Sequence, residues 1–373
     1  MNIGVDARMY GPKQTGIGNY IKYLIEELAR LDKKNTYYIF LRKEEYSAFS
    51  VEHLAFKSQK ILTDFSWYSL SEQTLFLRKL LTYPLDLMHF PHFNVPLLYR
   101  KPFVVTIHDV TPKLFPGEKT GASWLRRASY NAVLAHAARA SRAIITPSQF
   151  TKNDILNYFT VNPNKIRVIY EGVPSYAPST ETLKANEANE AKSYLLYVGV
   201  WRSHKNLQGL LQAFAILKKE GLPHSLVLAG PSGEYADEVK KIWQNLGLER
   251  WIIAPGFLSE EKLCSLYQNA ACVVFPSFYE GFGLVPLEAL QAGAPVAVSD
   301  IPSLREILGS SAFFFNPRDP QNMAQVINKT LTDKAARHKK LNKAKRILLR
   351  YSWEENAKKT LETYKQVNIK RKS

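Results

Sequence analysis

Cysteine is scarce: the 373 residues include only Cys264 and Cys272. Two thiols in a chain this long build neither a disulfide framework nor a zinc cluster, and they point to a reducing, cytoplasmic setting. Long apolar runs are missing as well. No stretch approaches the roughly 18 to 20 unbroken apolar residues that a spanning helix needs. Residues 1–20 carry Asp6 and Arg8 where a secretory signal would need an apolar segment. Several catalytic signatures are also absent: Gly-x4-Gly-Lys-Ser/Thr, His-Glu-x-x-His, Gly-x-Ser-x-Gly, and the Asp-x-Asp that holds a metal-bound sugar nucleotide. No metal site is therefore indicated, and no cofactor is expected.

Acidic residues are in deficit, 33 against 50 Lys and Arg, for a net charge of +17. The excess is uneven. Residues 329–373 hold fifteen Lys and Arg against four acids, so +11 of the +17 lies there. No zinc-finger spacing and no RNP-type aromatic strand accompanies this charge, so no nucleic-acid partner is expected. Such a basic run reads first as solvated helix faces and second as an attraction to an anionic membrane surface, with peripheral attachment to the inner face of the cell membrane.

What is present is an ordinary globular balance, with 46% hydrophobic and 22% charged residues. That composition excludes a disordered or fibrous chain, and the length suits two domains. Short apolar runs at 2–6, 37–41, 60–63, 85–90, 103–107, 143–146 and 166–169 alternate with longer helical patterns, among them 21–31 and 123–142. Residues 174–193 are polar, carry two prolines and lack any apolar period, so they read as a linker. The alternation then restarts at 194–199, 224–230, 251–255, 271–276, 295–299 and 312–315. Such alternation predicts two α/β domains, each a mostly parallel sheet with helices on both faces. In such sheets ligands bind beyond the carboxyl ends of the strands, and between two such domains they bind in a cleft. The functional residues should therefore lie on loops that follow strands.

The loop after the first run holds Thr15-Gly16-Ile17-Gly18, where glycine lets backbone N–H groups approach a phosphate at a helix start. By itself this reads equally well as a tight turn into a helix. It lacks the third glycine and the later acid of a dinucleotide fingerprint, which disfavours an NAD-dependent enzyme. His108-Asp109 ends the fifth run, a position from which an imidazole can bind substrate or move protons, although such a pair is often structural. Arg202 and Lys205 lie on the turn after the run 194–199, where two cations can grip a diphosphate. The most informative segment is Glu280-Gly281-Phe282-Gly283-Leu284-Val285-Pro286-Leu287-Glu288. A carboxylate ahead of a Gly-x-Gly turn can accept sugar hydroxyls while freed amides donate to the same ligand, and a second carboxylate further into the helix reaches another diol.

Taken in order, these residues resemble the retaining glycosyltransferase family 4 of GT-B architecture. The Glu280 to Glu288 spacing, acid, seven residues, acid, is that family's signature. The other landmarks are Thr15-Gly16-Ile17-Gly18, Ile107-His108-Asp109, Thr146-Pro147-Ser148, the segment 168–173, Arg202 with Lys205-Asn206, Gly256-Phe257, and Tyr351-Ser352-Trp353-Glu354. The first-domain segments VDARMYGPKQTGIGNY, HFPHFNVP and TIHDVTPKLFP look most like bacterial mannosyltransferase-type members that build cell-surface polysaccharides. One departure stands out: the family more often has Asn where this chain has Glu171.

The resemblance implies two Rossmann-like, doubly wound domains facing a central cleft. Their expected bounds are 1–173 for the acceptor side, 174–193 for the linker, and 194–352 for the nucleotide-sugar side. Residues 353–373 form a helix returning to the first domain, with Trp353 as its packing anchor. Arg202 and Lys205 would neutralise the donor diphosphate, and the Gly16-Ile17-Gly18 backbone would approach it from the first domain. Glu280 would hold donor sugar hydroxyls amid the Phe282, Gly283 and Leu284 amides, Glu288 the ribose diol, and Gly256 and Phe257 the base. His108 would contact the sugar near the reacting carbon. The implied reaction moves a hexose, mannose by the subgroup, from a GDP- or UDP-sugar to a glycan or lipid-linked acceptor, without metal and without a protein nucleophile. A non-catalytic sugar-nucleotide-binding protein on the same scaffold is the competing expectation.

Overall fold

A computed structural model of the protein describes residues 1–11, 14–49, 56–115, 124–174 and 194–372. The chain divides into two compact units, Met1–Gly172 with Ser352–Ser373, and Val173–Tyr351. Of the linker expected at 174–193, residues 175–193 lie outside the described part.

In the first unit seven strands, β1 (Asn2–Asp6), β2 (Thr36–Leu41), β3 (Ser58–Leu62), β4 (Leu87–Phe90), β5 (Phe103–Thr106), β6 (Ala143–Thr146) and β7 (Ile166–Val168), form one sheet in the order β3-β2-β1-β4-β5-β6-β7. Every pairing in it is parallel. The second unit repeats the scheme with β8 (Tyr194–Val198), β9 (Ser225–Ala229), β10 (Ile252–Gly256), β11 (Cys272–Phe275), β12 (Val296–Ser299) and β13 (Phe313–Phe315). These run β10-β9-β8-β11-β12-β13, again all parallel.

The strand sequences explain this. A parallel sheet covered by helices buries both faces, so its inner strands need unbroken apolar runs rather than alternation. Phe103–Thr106, Ala143–Thr146, Tyr194–Val198, Cys272–Phe275 and Val296–Ser299 are buried along their whole length. The outermost β3 and β10 expose most of theirs. The thirteen apolar runs read from the sequence correspond to these thirteen strands, with ends moved by up to two residues. Cys264 and Cys272 are buried free thiols. No helix among the described residues is long and apolar enough to cross a membrane.

In both sheets the strand order reverses where the chain begins a second run outward from the middle, between β1 and β4 and between β8 and β11. Loops leaving the carboxyl ends of such neighbours diverge to opposite faces and open a crevice.

The helix Trp353–Lys372 belongs to the first unit and contributes Trp353, Ala357, Tyr364 and Val367 to the same core as Ile3, Val5, Leu24 and Leu28. Trp353 stacks on Tyr23 at 5.2 Å and meets Tyr20 edge-on at 5.8 Å. Gly172 lies so close to it that an added Cβ would fall 2.3 Å from the Trp353 backbone nitrogen and 2.4 Å from its ring. Backbone on one side and a packed indole on the other cannot yield. Gly172→Ala is therefore expected to destabilise the first unit by about 1–3 kcal/mol, the cost of overpacking a core, measured by urea denaturation. A midpoint equal to that of the unaltered protein would show the indole to be loosely held.

Candidate active site

The second unit gathers the largest share of the sequence-predicted residues. Lys205 follows β8 on a short turn, Ser203–Lys205, and Glu280 follows β11. These strands flank the reversal of the sheet, so residues 75 apart in sequence meet: Lys205 Nζ donates to Glu280 Oε1 at 2.6 Å, with the ammonium 5.5 Å from the centre of the Phe275 ring. Both side chains keep some solvent access, so the pair is accessible to a ligand.

Asn206 holds this arrangement. Its backbone is left-handed, with φ of 54°, a conformation asparagine tolerates better than most residues. Its Oδ1 accepts from the Gly209 N–H at 3.1 Å and caps the helix Leu207–Lys219. Its Nδ2 donates to the carbonyl oxygens of Pro276, at 3.1 Å, and Pro317, at 2.8 Å. One buried amide thus ties together the loops that follow β8, β11 and β13. The Phe278 N–H adds a backbone bond to the His204 carbonyl at 2.8 Å, which fixes the approach to Glu280.

Gly283 stands at the N-cap of the helix Leu284–Gln291 with φ of 94°, and no side chain caps that helix. A Cβ there would also strike Leu304 at 2.4 Å. Phe282 is buried edge-on to Tyr351, 5.5 Å between centroids. Glu288, one turn into the helix, is buried, and its Oε2 accepts from the Tyr267 hydroxyl at 2.9 Å. Tyr267 was not foreseen, because it comes from the helix Glu260–Asn269 and carries no motif. Arg202 is exposed, and its guanidinium has no ion-pair partner among the described residues. Gly256 ends β10 with φ of 76°, and Phe257 after it is 53% exposed.

In the first unit the glycine pair divides its work. Gly16 is exposed in the first turn of the helix Thr15–Leu31, with open space where a side chain would lie, and no side chain caps that helix. Gly18 is buried, and a Cβ there would fall 1.9 Å from the Gly11 carbonyl oxygen. Gly18 is thus required for the close approach of the loop after β1, while Ile17, half-buried, packs against the core.

His108, after β5, is gripped at both ring nitrogens. Nδ1 faces Glu171 Oε1 at 3.0 Å, Nε2 faces the Pro91 carbonyl oxygen at 2.9 Å, and Tyr20 lies edge-on at 4.7 Å. Burial alone would lower the imidazole pKa, but the hydrogen bond and charge of Glu171, with the Pro91 carbonyl and Asp109, outweigh it and raise the value above the ordinary one. Beneath it, Tyr364 meets His89 Nδ1 at 2.6 Å, His89 Nε2 meets Thr106 Oγ1 at 2.9 Å, and Tyr20 meets the same hydroxyl at 3.1 Å. A small pocket beside the loops after β1 and β4 is lined by Asp6, Arg8, Trp67, His92 and Asn94. Asp6, Arg8, His92 and Asn94 fall in the segments VDARMYGPKQTGIGNY and HFPHFNVP, to which the sequence assigns no site role, and Trp67 falls in no motif.

Asn206→Ala removes the cap and leaves two proline carbonyls without their donor. It is expected to cost about 3 kcal/mol, one part from the cap and the rest from the abandoned acceptors. Thermal or urea unfolding measures this, and a loss within experimental error would show that the three loops are held by other contacts.

Comparison with known proteins identifies the family. Residues 14–175 match the family model described as Glycosyltransferase Family 4, and residues 178–347 the model described as Glycosyl transferases group 1. The O-antigen chain mannosyltransferase B of Escherichia coli is 29% identical over 287 residues, which covers 74% of this chain and 73% of that protein. The O-antigen chain mannosyltransferase RfbU of Salmonella typhimurium is 26% identical over 332 residues, covering 87% and 89%. Among solved structures, Anabaena Alr3699/HepE in complex with UDP-glucose shares the fold, with a TM-score of 0.75 at 19% identity over 98% of this chain and 99% of that one. With two such sheets, the glycine turn between Glu280 and Glu288, and the two models following each other along the chain, the protein belongs to the glycosyltransferases of GT-B fold, a family 4 domain succeeded by a group 1 domain.

Proposed function

We propose that the protein is a retaining hexosyltransferase that takes its sugar, mannose by analogy with the O-antigen chain relatives, from a nucleotide-diphospho donor and passes it to a growing glycan or a lipid-linked acceptor. The observation that carries this reading is the Lys205–Glu280 pair at the reversal of the second sheet. Each group is the other's partner in the structure. With donor, the reading assigns the diphosphate to Lys205 and Arg202 and the sugar hydroxyls to Glu280, so one ligand exchanges a protein ion pair for two complementary contacts. Negative charge grows on the diphosphate as the glycosidic bond breaks, and a fixed ammonium favours that state over the ground state.

The remaining assignments follow the same logic. The uncapped helix start behind Gly283 offers backbone donors from Phe282, Gly283 and Leu284 to the sugar or its phosphates. Glu288 holds the ribose, with Tyr267 fixing its carboxylate, and Phe257 after Gly256 offers an exposed ring face to the base. In the first unit, Gly16 with the neighbouring Ile17 and Gly18 backbone serves the phosphate, and His108 the sugar near the reacting carbon. The leaving phosphate accepts the acceptor's proton on the face from which it departs, so configuration is retained and no protein carboxylate need act as nucleophile. The UDP-glucose bound by HepE supports a nucleotide-sugar donor for this fold.

Purified protein incubated with UDP- and GDP-sugars, GDP-mannose among them, should consume one of them in the presence of acceptor. Lys205→Ala should lower kcat/KM about 10²- to 10³-fold, as expected for removing one preorganised charge contact to a developing anion, and Glu280→Gln should fall in the same range. Binding of a sugar nucleotide without any consumption would instead establish a non-catalytic binding protein.

The basic residues at 329–373 support peripheral attachment to an anionic membrane, the expected location of a lipid-linked acceptor. Flotation with vesicles of phosphatidylglycerol should recover the protein at low salt and release it at high salt, because the Debye length falls from about 10 Å at 0.1 M to about 3 Å at 1 M. Equal recovery with neutral phosphatidylcholine vesicles would count against it.

A further inference from the structure

Three imidazoles cluster at the carboxyl ends of the first sheet, His89 from β4, His92 just after it, and His108 after β5. Burial pushes His89 down to about 3 and His92 down to about 4, so both are neutral near pH 7. His108 differs in one contact. Glu171, from the loop after β7, reaches across β6 to place Oε1 3.0 Å from Nδ1.

The proton count at this contact is fixed by its other end. The Pro91 oxygen can only accept, so Nε2 carries hydrogen. A neutral ring would then turn the bare Nδ1 lone pair toward a carboxylate oxygen, and two acceptors do not hold 3.0 Å apart without a proton between them. Ring and carboxyl together therefore keep one proton more than a neutral imidazole and a carboxylate would. The side chains are only 13% and 9% exposed, so water competes weakly. The other groups facing the ring do not supply this proton. Asp109 Oδ1 accepts from the Thr111 N–H at 2.7 Å, the Tyr20 phenol is raised further above its usual range, mainly by burial, and His89 and His92 are uncharged.

We propose that Glu171 is a positioning residue that keeps Nδ1 of His108 protonated through the neutral range, so that His108 acts in transfer as a fixed, doubly anchored imidazolium and not as a proton shuttle. This rests on the transferase reading for its consequence in catalysis, but not for the protonation itself. It also gives a physical meaning to glutamate where the family more often has asparagine, since an amide oxygen can orient an imidazole and accept its hydrogen bond but brings no countercharge.

A histidine raised in the folded state contributes stability that is complete below about pH 6.5 and is lost as pH rises through the folded value. Glu171→Gln keeps the shape and removes the charge, so the His108 midpoint should fall to about 6.5 or below. Selective ¹⁵N-histidine labelling, with His108→Asn to assign the signals, reads this without any donor sugar. In unaltered protein both His108 N–H groups should be present at pH 7, and in Glu171→Gln, or Glu171→Asn as a second variant, one should be lost at lower pH than in the unaltered protein. A neutral His108 at pH 7 in the unaltered protein would overturn the proposal, whether or not transfer is found. In transfer assays Glu171→Gln should lose roughly 25-fold in kcat between pH 6 and 8, following the protonated fraction of a group titrating at about 6.5, while the corresponding loss in the unaltered enzyme lies at higher pH. A loss of equal size at every pH would mean that Glu171 merely packs the ring, and would also overturn it.

Discussion

An ammonium and a carboxylate 2.6 Å apart, Lys205 and Glu280, are brought together only because two parallel strands stand side by side where the second sheet reverses its order. Their meeting depends on Asn206, whose single amide spans three strand-end loops. A flexible lysine on an exposed turn has many conformers and would lose considerable entropy on gripping a ligand. Fixing the backbone one residue away, and holding the ammonium against a counter-charge, reduces that loss. Preorganisation of this kind distinguishes a charge that favours the transition state from one that merely attracts the substrate.

The first unit solves a related problem by different means. Its last helix is drawn from the far end of the sequence, and it carries Tyr364 to His89 and Trp353 to Gly172. Both contacts lie under the loops that bear His108 and Glu171. Aromatic rings and hydrogen-bonded hydroxyls thus pack near a titratable pair, and burial lowers the neighbouring imidazoles His89 and His92. Low polarity around the pair strengthens the hydrogen bond between them, for the same reason that it makes an unpaired charge costly.

Much of this was legible in the sequence. Each strand of a doubly wound sheet is a short, continuously apolar run, and that pattern survives without any knowledge of partners. The Glu280 to Glu288 segment was legible because its two acids and its glycine turn are local. Other parts were not. Gly16 and Gly18 look equivalent in the sequence, yet one opens a helix start and the other admits a carbonyl 1.9 Å from where its Cβ would be. Tyr267 and the proline carbonyls that Asn206 binds have no signature, because any tyrosine hydroxyl or backbone oxygen could play the part. Glu171 was visible only as an unusual residue and His108 only as a strand-end imidazole, and nothing across the 63 positions between them marked the two as partners.

The sequence by itself determined the alternation of strands and helices, the two-domain plan, and which strand-end loops carry charge and glycine, since these follow from hydrophobic period and local backbone freedom. Only the tertiary structure decided which of those groups touch. Parallel strands that are neighbours in a sheet are separated by whole helices in the chain, so their pairing, and with it the meeting of Lys205 with Glu280 and of His108 with Glu171, is set by how the sheet is ordered and not by any spacing along the sequence.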